Sequence, residues 1–170
     1  MSDAADRLER ELDRWTRPGR LVVPDTNVFL HLPEPWVEVP WKDRVGCRVA
    51  EALRLVIPLL VVDELDRAKL GRNETRSRAR GVLRLLDQHF PDPSAVALLA
   101  GSGELQGSVT VELLLDDLGH VRLPDADSGL VDRAVELQAL ADRDVTIVTL
   151  DIGMALRARA AGVRALRLTE

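Results

Sequence analysis

The sequence predicts an α/β protein with three layers, α/β/α, around a central and mostly parallel sheet. Stretches rich in Val, Ile and Leu alternate with segments whose apolar residues recur at helical spacing. Several of those stretches are apolar without a break, as strands buried on both faces are. Three of them also run directly into an acid: Val22-Val23-Pro24-Asp25, Leu60-Val61-Val62-Asp63-Glu64 and Ile147-Val148-Thr149-Leu150-Asp151. In an open α/β sheet the carboxyl ends of parallel strands share one ligand-binding edge.

The elements follow in order. A helix over residues 3–16 carries Leu8, Leu12 and Trp15 on one face, and Pro18-Gly19 stops it. A first strand spans Leu21–Asp25. Pro33–Pro40, with Trp36 inside it and Trp41 beyond, reads as a loop whose tryptophans anchor it to the core or to a partner chain, with stacking on a base as the lesser alternative. A helix is expected from Asp43 to Leu55, with Cys47 as a small apolar residue on it, and a second strand over Val56–Val62. Apolar residues Ala79, Val82, Leu83, Leu85 and Leu86 mark a helix from Glu74 to His89, ended by Pro91 and Pro93. Ser94–Leu99 and Val109–Leu115 read as strands joined by a turn at Gly101-Ser102-Gly103. A helix starts near Asp127, a strand spans Val145–Leu150, a helix Asp151–Ala161 and a last strand Val163–Leu168. No composition shift divides the 170 residues, so the whole chain is expected to be one domain with an extra N-terminal helix.

Composition narrows the functions. At 46% hydrophobic and 30% charged residues the chain can bury a core, and with 3% aromatic residues it lacks the platforms for stacking many bases. One cysteine excludes a disulfide framework and a multi-cysteine zinc site. No stretch approaches the roughly 18 apolar residues of a membrane span, and the start lacks a signal-peptide pattern, so a cytoplasmic location is expected. The net charge of -5 argues against a generic polyanion binder. It does not exclude a local basic surface, because the Debye length is only about 8–10 Å at physiological salt.

Four acids stand where strands end or helices begin: Asp25, Glu64, Asp127 and Asp151. Helix capping suits Asp127 and Asp151, although Ser128 could cap in place of Asp127, and Glu64 suits a surface salt bridge better than a cap. Independent caps leave the shared sheet edge unexplained. Gathered carboxylates raise one another's pKa, a cost that a divalent cation removes, and hard oxygen ligands suit Mg²⁺ or Mn²⁺. Such an ion activates water and stabilises charge on a phosphoryl oxygen.

These four motifs, in order, resemble the PIN-domain nucleases. Val22–Leu30 is similar to that family's opening strand and turn, and Val61–Lys69 to its second acidic element, with Glu64 in the ligand position. Asp127-Ser128-Gly129-Leu130 resembles the third element and Thr149-Leu150-Asp151 the fourth, so the likeness runs from about Leu21 to Leu168. Val109–Leu113 with Leu123-Pro124, and the Arg-rich stretch after Glu64, resemble the PIN portion of PhoH-type proteins, without the nucleotide loop of the ATPase part. The resemblance implies hydrolysis of RNA phosphodiesters to a 5′-phosphate and a 3′-hydroxyl. It implies Asp25 and Asp127 as principal metal ligands, with Glu64 and Asp151 direct or through water. Thr26 or Asn27 would orient a ligand or the phosphate, and Thr149 would hydrogen-bond a carboxylate. Ser128 stands where a second acid often sits, which leaves one or two metals open, as it does a part for Asp132.

Seven basic residues lie between Arg67 and Arg84, with only Glu74 opposing them. Arg76, Arg80 and Arg84 share a helix face at i, i+4, i+8, and with Lys69 and Arg72 they offer a track for an RNA backbone, against the plainer reading of a solvated face paired with acids elsewhere. His31, His89 and His120 show no metal-ligand spacing. Two other functions stay open: a non-catalytic PIN-like RNA-binding module, and a Mg²⁺-dependent phosphotransfer or phosphoacceptor domain. The latter wants an Asp two residues after Asp25, where Asn27 stands, or a Lys near the last strands, and no Lys follows Lys69. An antitoxin or other protein partner and a homodimer are also left open.

Overall fold

A computed structural model describes residues 2–101, 107–117 and 119–169, so Ser102 and Gly103 of the expected turn lie outside the described residues. Strands β1 (Arg20–Pro24), β2 (Leu53–Pro58), β3 (Val96–Ala100), β4 (Val109–Leu114), β5 (Val145–Thr149) and β6 (Arg164–Arg167) form one sheet in the order β3-β4-β2-β1-β5-β6. Every neighbouring pair is parallel except β3–β4, which places an antiparallel strand at one edge. Helices α1 (Ser2–Trp15), α2 (Thr26–His31), α3 (Trp41–Arg44), α4 (Leu59–Ala68), α5 (Asn73–His89), α6 (Ala126–Ala141) and α7 (Ile152–Ala160) complete the three-layer α/β/α arrangement. Helices α2, α4 and α5 pack on one another, as α6 does on α1 and α7.

The central strands explain the architecture. All six residues of β2 are buried, and Leu21, Val22 and Val23 of β1 and Ile147 and Val148 of β5 are inaccessible to solvent. Strands so enclosed need helices on both faces.

Two expected elements are corrected. The helix over 43–55 is only the single turn of α3. Gly46 adopts φ +62°, a left-handed conformation that ends it, and the chain re-enters the sheet at Leu53. The strand expected over 56–62 begins at Leu53 and stops at Pro58, and Leu59-Leu60-Val61-Val62 form the first turn of α4. The apolar run gives no periodicity to separate strand from buried helix. Tertiary burial of Leu60, Val61 and Leu65 at helical spacing decides for helix, against the preference of Val for strands. Glu64 therefore projects from the second turn of a helix and does not stand at a strand end. Cys47 lies outside any helix, half-buried, with burial and the Glu51 carboxylate beside it pushing its thiol pKa up.

The N-terminal helix is held by charge more than by its apolar stripe. Trp15 is fully buried, but Leu8 and Leu12 are 55% and 39% exposed. Glu112 on β4 is wholly buried and accepts from Arg54 on β2 at 2.8 Å, from Arg17 at 3.2 Å and from Arg14 at 3.3 Å. The Arg54 guanidinium also donates to the carbonyls of Arg14 (3.0 Å) and Arg17 (2.8 Å), satisfying groups that a helix end leaves open. Arg14 lies over the Trp15 ring at 4.7 Å from its centroid, a cation–π contact.

Candidate active site

The carboxyl ends of β1 and β5 lie side by side, because Pro24 is in register with Val148. Asp25 and Thr149 follow and meet: Thr149 Oγ1 donates to Asp25 Oδ2 at 2.8 Å. The Thr26 amide donates to Asp25 Oδ1 at 2.7 Å, so Asp25 caps α2 while its other oxygen faces Thr149. Thr149 Oγ1 in turn accepts the Asp151 amide at 3.0 Å. Asn27 ties the same junction, accepting the Leu150 amide at 3.2 Å and approaching Thr149 Oγ1 at 3.5 Å. All three residues expected in supporting positions, Thr26, Asn27 and Thr149, thus touch this junction.

Glu64 arrives from α4 and accepts the Thr26 hydroxyl at 2.6 Å. One threonine therefore bridges the two acids, its amide on Asp25 and its hydroxyl on Glu64. Asp127 arrives from the first turn of α6. The N-cap of α6 is Asp125, whose carboxylate accepts from the Ser128 amide at 3.0 Å and the Ser128 hydroxyl at 2.6 Å. Those bonds hold its pKa below the usual carboxylate range. Asp127 is thereby released from capping, and it pairs with Arg157 on α7 at 2.7 Å.

Asp25 is only 6% exposed, and its pKa is raised from 3.8 to about 6. Burial is the largest cause. The hydrogen bonds from Thr149 and Thr26 oppose it, and the charges of Glu64 and Asp127 push the same way as burial. No cation of the chain figures among these influences. Asp25 thus feels both Glu64 and Asp127. Asp151 is exposed, caps α7 by accepting the Gly153 amide at 2.5 Å, and joins the others only through Thr149.

The acids are near but not in contact as ligands to one ion. Among the described residues, the group of three candidate ligands whose atoms fall within 4.8 Å of one another is His120, Asp132 and Glu136. Asp132 therefore sits with His120 and Glu136, a grouping that linear spacing hides because His120 precedes α6. That group already holds a cation of the chain: the buried Arg133 guanidinium pairs with Glu136 and lies 3.5 Å from His120 Nδ1. The donor chemistry around Asp25 suits a metal better. It offers a buried carboxylate with no counter-charge, a second carboxylate bonded to a neutral hydroxyl, and a third in a pair whose partners are 43% and 52% exposed. Exposed pairs of that kind are worth about 0–1 kcal/mol, so Asp127 can exchange Arg157 for a metal at little cost.

The basic residues after Glu64 line α4 and α5. Arg72, Arg80 and Arg84 are exposed, and Arg76 is half-buried, donating to the Gly71 carbonyl at 3.3 Å. Lys69 pairs with Asp66 at 2.5 Å. Among the described residues none of the four arginines pairs with an acid, so their charges face solvent unbalanced by an ion pair. Sequence reasoning missed Asp125 and Arg157. The spacing of Asp125 to Ser128 matches a helix cap and was legible; the contact of Arg157 with a residue 30 positions away was not.

A family model for the PIN domain matches residues 22–169. The chain belongs to the PIN-domain family, whose members are usually nucleases that bind divalent metals. Among solved structures, it is similar to a domain of a functionally unknown protein from Methanocaldococcus jannaschii, with 16% identity and a TM-score of 0.50 over 89% of this chain and 93% of that one. That likeness concerns the fold alone. No curated protein matches the chain. No helix among the described residues is long and apolar enough to cross a membrane.

Proposed function

We propose that this chain is a metal-dependent endoribonuclease that hydrolyses RNA phosphodiester bonds at the edge formed by β1, α2, α4 and α6. The observation that carries the reading is Asp25: a carboxylate buried at a strand end, with no cation among the described residues paired to it and two further acids close enough to raise its pKa. Burying an uncompensated charge is costly, and a protein that keeps one there has a use for it.

Asp25, Glu64 and Asp127 would hold a Mg²⁺ or Mn²⁺ ion, with Asp151 at the margin through Thr149. When bound, the ion supplies Lewis-acid stabilisation of phosphoryl charge and a more acidic water. The chain's own residues do the rest. Thr26 and Thr149 fix both oxygens of Asp25, and Thr26 aligns Glu64 with it. Asn27 locks the turn after β5 to the turn after β1. Arg157, displaced from Asp127, is placed to meet a phosphate, and Lys69, Arg72, Arg76, Arg80 and Arg84 give the strand a basic approach. Within the family, the proposal takes a PhoH-type PIN portion as its subtype, on the motif likeness of Val109–Leu113 with Leu123-Pro124 and the Arg-rich stretch after Glu64. A toxin acting with an antitoxin is a biological subtype that gene neighbourhood decides, and cytoplasmic action on RNA is part of the proposal.

The test is cleavage of mixed RNA and DNA substrates with Mg²⁺, Mn²⁺ or EDTA, comparing wild type with Asp25→Asn. Metal-dependent cleavage of RNA that the variant loses supports the reading. An Asp25→Asn protein that folds and cuts at full rate refutes it, and RNA binding without cleavage by the wild type assigns the chain to the non-catalytic alternative.

A further inference from the structure

A cavity of about 360 Å³ lies between α5 and the Pro-rich loop, walled by Phe29, Trp36, Glu74, Arg78, Gly81 and Arg84 among others. We infer that it receives one nucleobase of the RNA strand, turned out of its stack, while Arg78 and Arg84 hold the phosphates beside it. This inference rests on the nuclease reading and adds the substrate class: a strand with an unpaired base next to the cleaved bond.

Three observations converge. The first is Gly81, in the middle of the 17-residue helix α5. Glycine there costs about 1 kcal/mol against alanine, and a Cβ built on it would meet nothing within 4 Å. Close packing therefore does not require the glycine, and the space it leaves open is part of the cavity. The second is Trp36. It is 3% exposed, its ring stands edge-on to Phe29 at 6.0 Å, and its buried Nε1–H has no acceptor among the described residues. A buried donor without an acceptor is unfavourable until a ligand supplies one. The other two indoles are satisfied, Trp15 by Glu11 and Trp41 by the Trp36 carbonyl. The third is charge: the wall combines apolar surface with two guanidinium groups against one carboxylate, Glu74, a net positive lining in which Arg84 is exposed and Arg78 is fixed to the Pro33 carbonyl at 3.2 Å.

A planar group carrying hydrogen-bond acceptors, attached to an anion, answers all three features. Unpaired bases are the part of RNA that proteins bind in this way. The cavity lies at the small end of the range of roughly 300–1,000 Å³ typical of ligand pockets, which suits one nucleoside. It is also near the acids. Phe29 follows Thr26 on α2 by three residues, about 5 Å along the helix axis.

The experiment follows the three indole N–H resonances of ¹⁵N-labelled protein in EDTA during titration with each of the four nucleoside 5′-monophosphates, and with ribose 5-phosphate. The expected result is a saturable shift of the Trp36 signal with at least one nucleotide, none with ribose 5-phosphate, and still signals from Trp15 and Trp41. Gly81→Leu, which fills the cavity and improves the helix, should abolish the shift while its Tm holds or rises. In cleavage of single-stranded RNA, the same variant should raise KM about tenfold, the order expected when one base loses its contacts, with kcat little changed. The inference is overturned if Trp36 ignores all four nucleotides, in which case the cavity is left to a protein side chain. An equal shift from ribose 5-phosphate, or an undiminished shift or unchanged KM in Gly81→Leu, overturns it too. A Trp36 shift in a wild type that cuts nothing would sink the nuclease reading and leave the base pocket standing.

Discussion

Replacing Asp25 by Asn should shift stability in the variant's favour by an amount that grows with pH. In the folded chain the Asp25 carboxyl titrates at about 6, against 3.8 for an unperturbed group. A folded pKa above the unfolded one means that ionisation favours unfolding. The carboxyl's stabilising contribution is complete below the unfolded pKa and is lost as pH rises through the folded value. Each pKa unit corresponds to about 1.36 kcal/mol, so the whole effect is about 3 kcal/mol. Roughly 2 kcal/mol of it falls between about pH 4.5 and about pH 8. Asn cannot ionise, and in changing the bond from Thr149 it introduces a cost that does not vary with pH. The difference between the two pH values therefore isolates the charge. With about 2–4 °C per kcal/mol at this chain length, the variant's Tm relative to wild type should rise by about 4–8 °C between those pH values, in EDTA. Adding Mg²⁺ or Mn²⁺ near pH 8 should then stabilise wild type and leave the variant unmoved, because only a folded-state ligand raises Tm by mass action. A Tm difference that stays flat with pH would refute the account of Asp25 as a buried and unbalanced charge.

Three further outcomes are expected. Replacing Arg76 and Arg80 together with Ala should weaken RNA binding and lower the slope of log affinity against log salt by about 0.7 for each phosphate no longer neutralised; an unchanged slope in filter binding would show that the stripe does not touch the strand. Arg157→Ala should free Asp127 and tighten Mn²⁺ binding by up to about fivefold, the worth of an exposed pair, as read by calorimetry. Arg54→Met should leave the buried Glu112 with only its longer bonds from Arg14 and Arg17 and cost up to about 3–5 kcal/mol in urea unfolding, with Arg54→Met/Glu112→Leu recovering much of that stability.

The fold is legible in the sequence because the central strands are apolar without interruption and the longer helices between them, α5 and α6, are bounded by clear stop and start signals. Asp25 and Thr149 are legible for a local reason: each directly ends or follows a strand whose neighbour the α/β pattern already implies. Glu64 falls in the right motif but on the wrong element, since nothing in Leu59–Val62 distinguishes a buried strand from a buried helical turn. The helix expected through Gly46 fails because propensity gives way to a left-handed glycine and to β2's place in the sheet. Asp127 suits a cap by its position in the sequence, yet Asp125 takes that task. The group of His120, Asp132 and Glu136 cannot be read from spacing at all, because a loop brings the histidine onto two positions of α6.

The hydrogen bond between Thr149 and Asp25 spans 124 residues of chain. During synthesis at roughly 5–20 residues per second, the acid at the end of β1 leaves the ribosome about 6–25 s before its partner. For that interval the emerging polypeptide has β1 without the neighbour that orients its carboxylate. The contact that orients the carboxylate is thus completed only after the C-terminal third of the chain has been made.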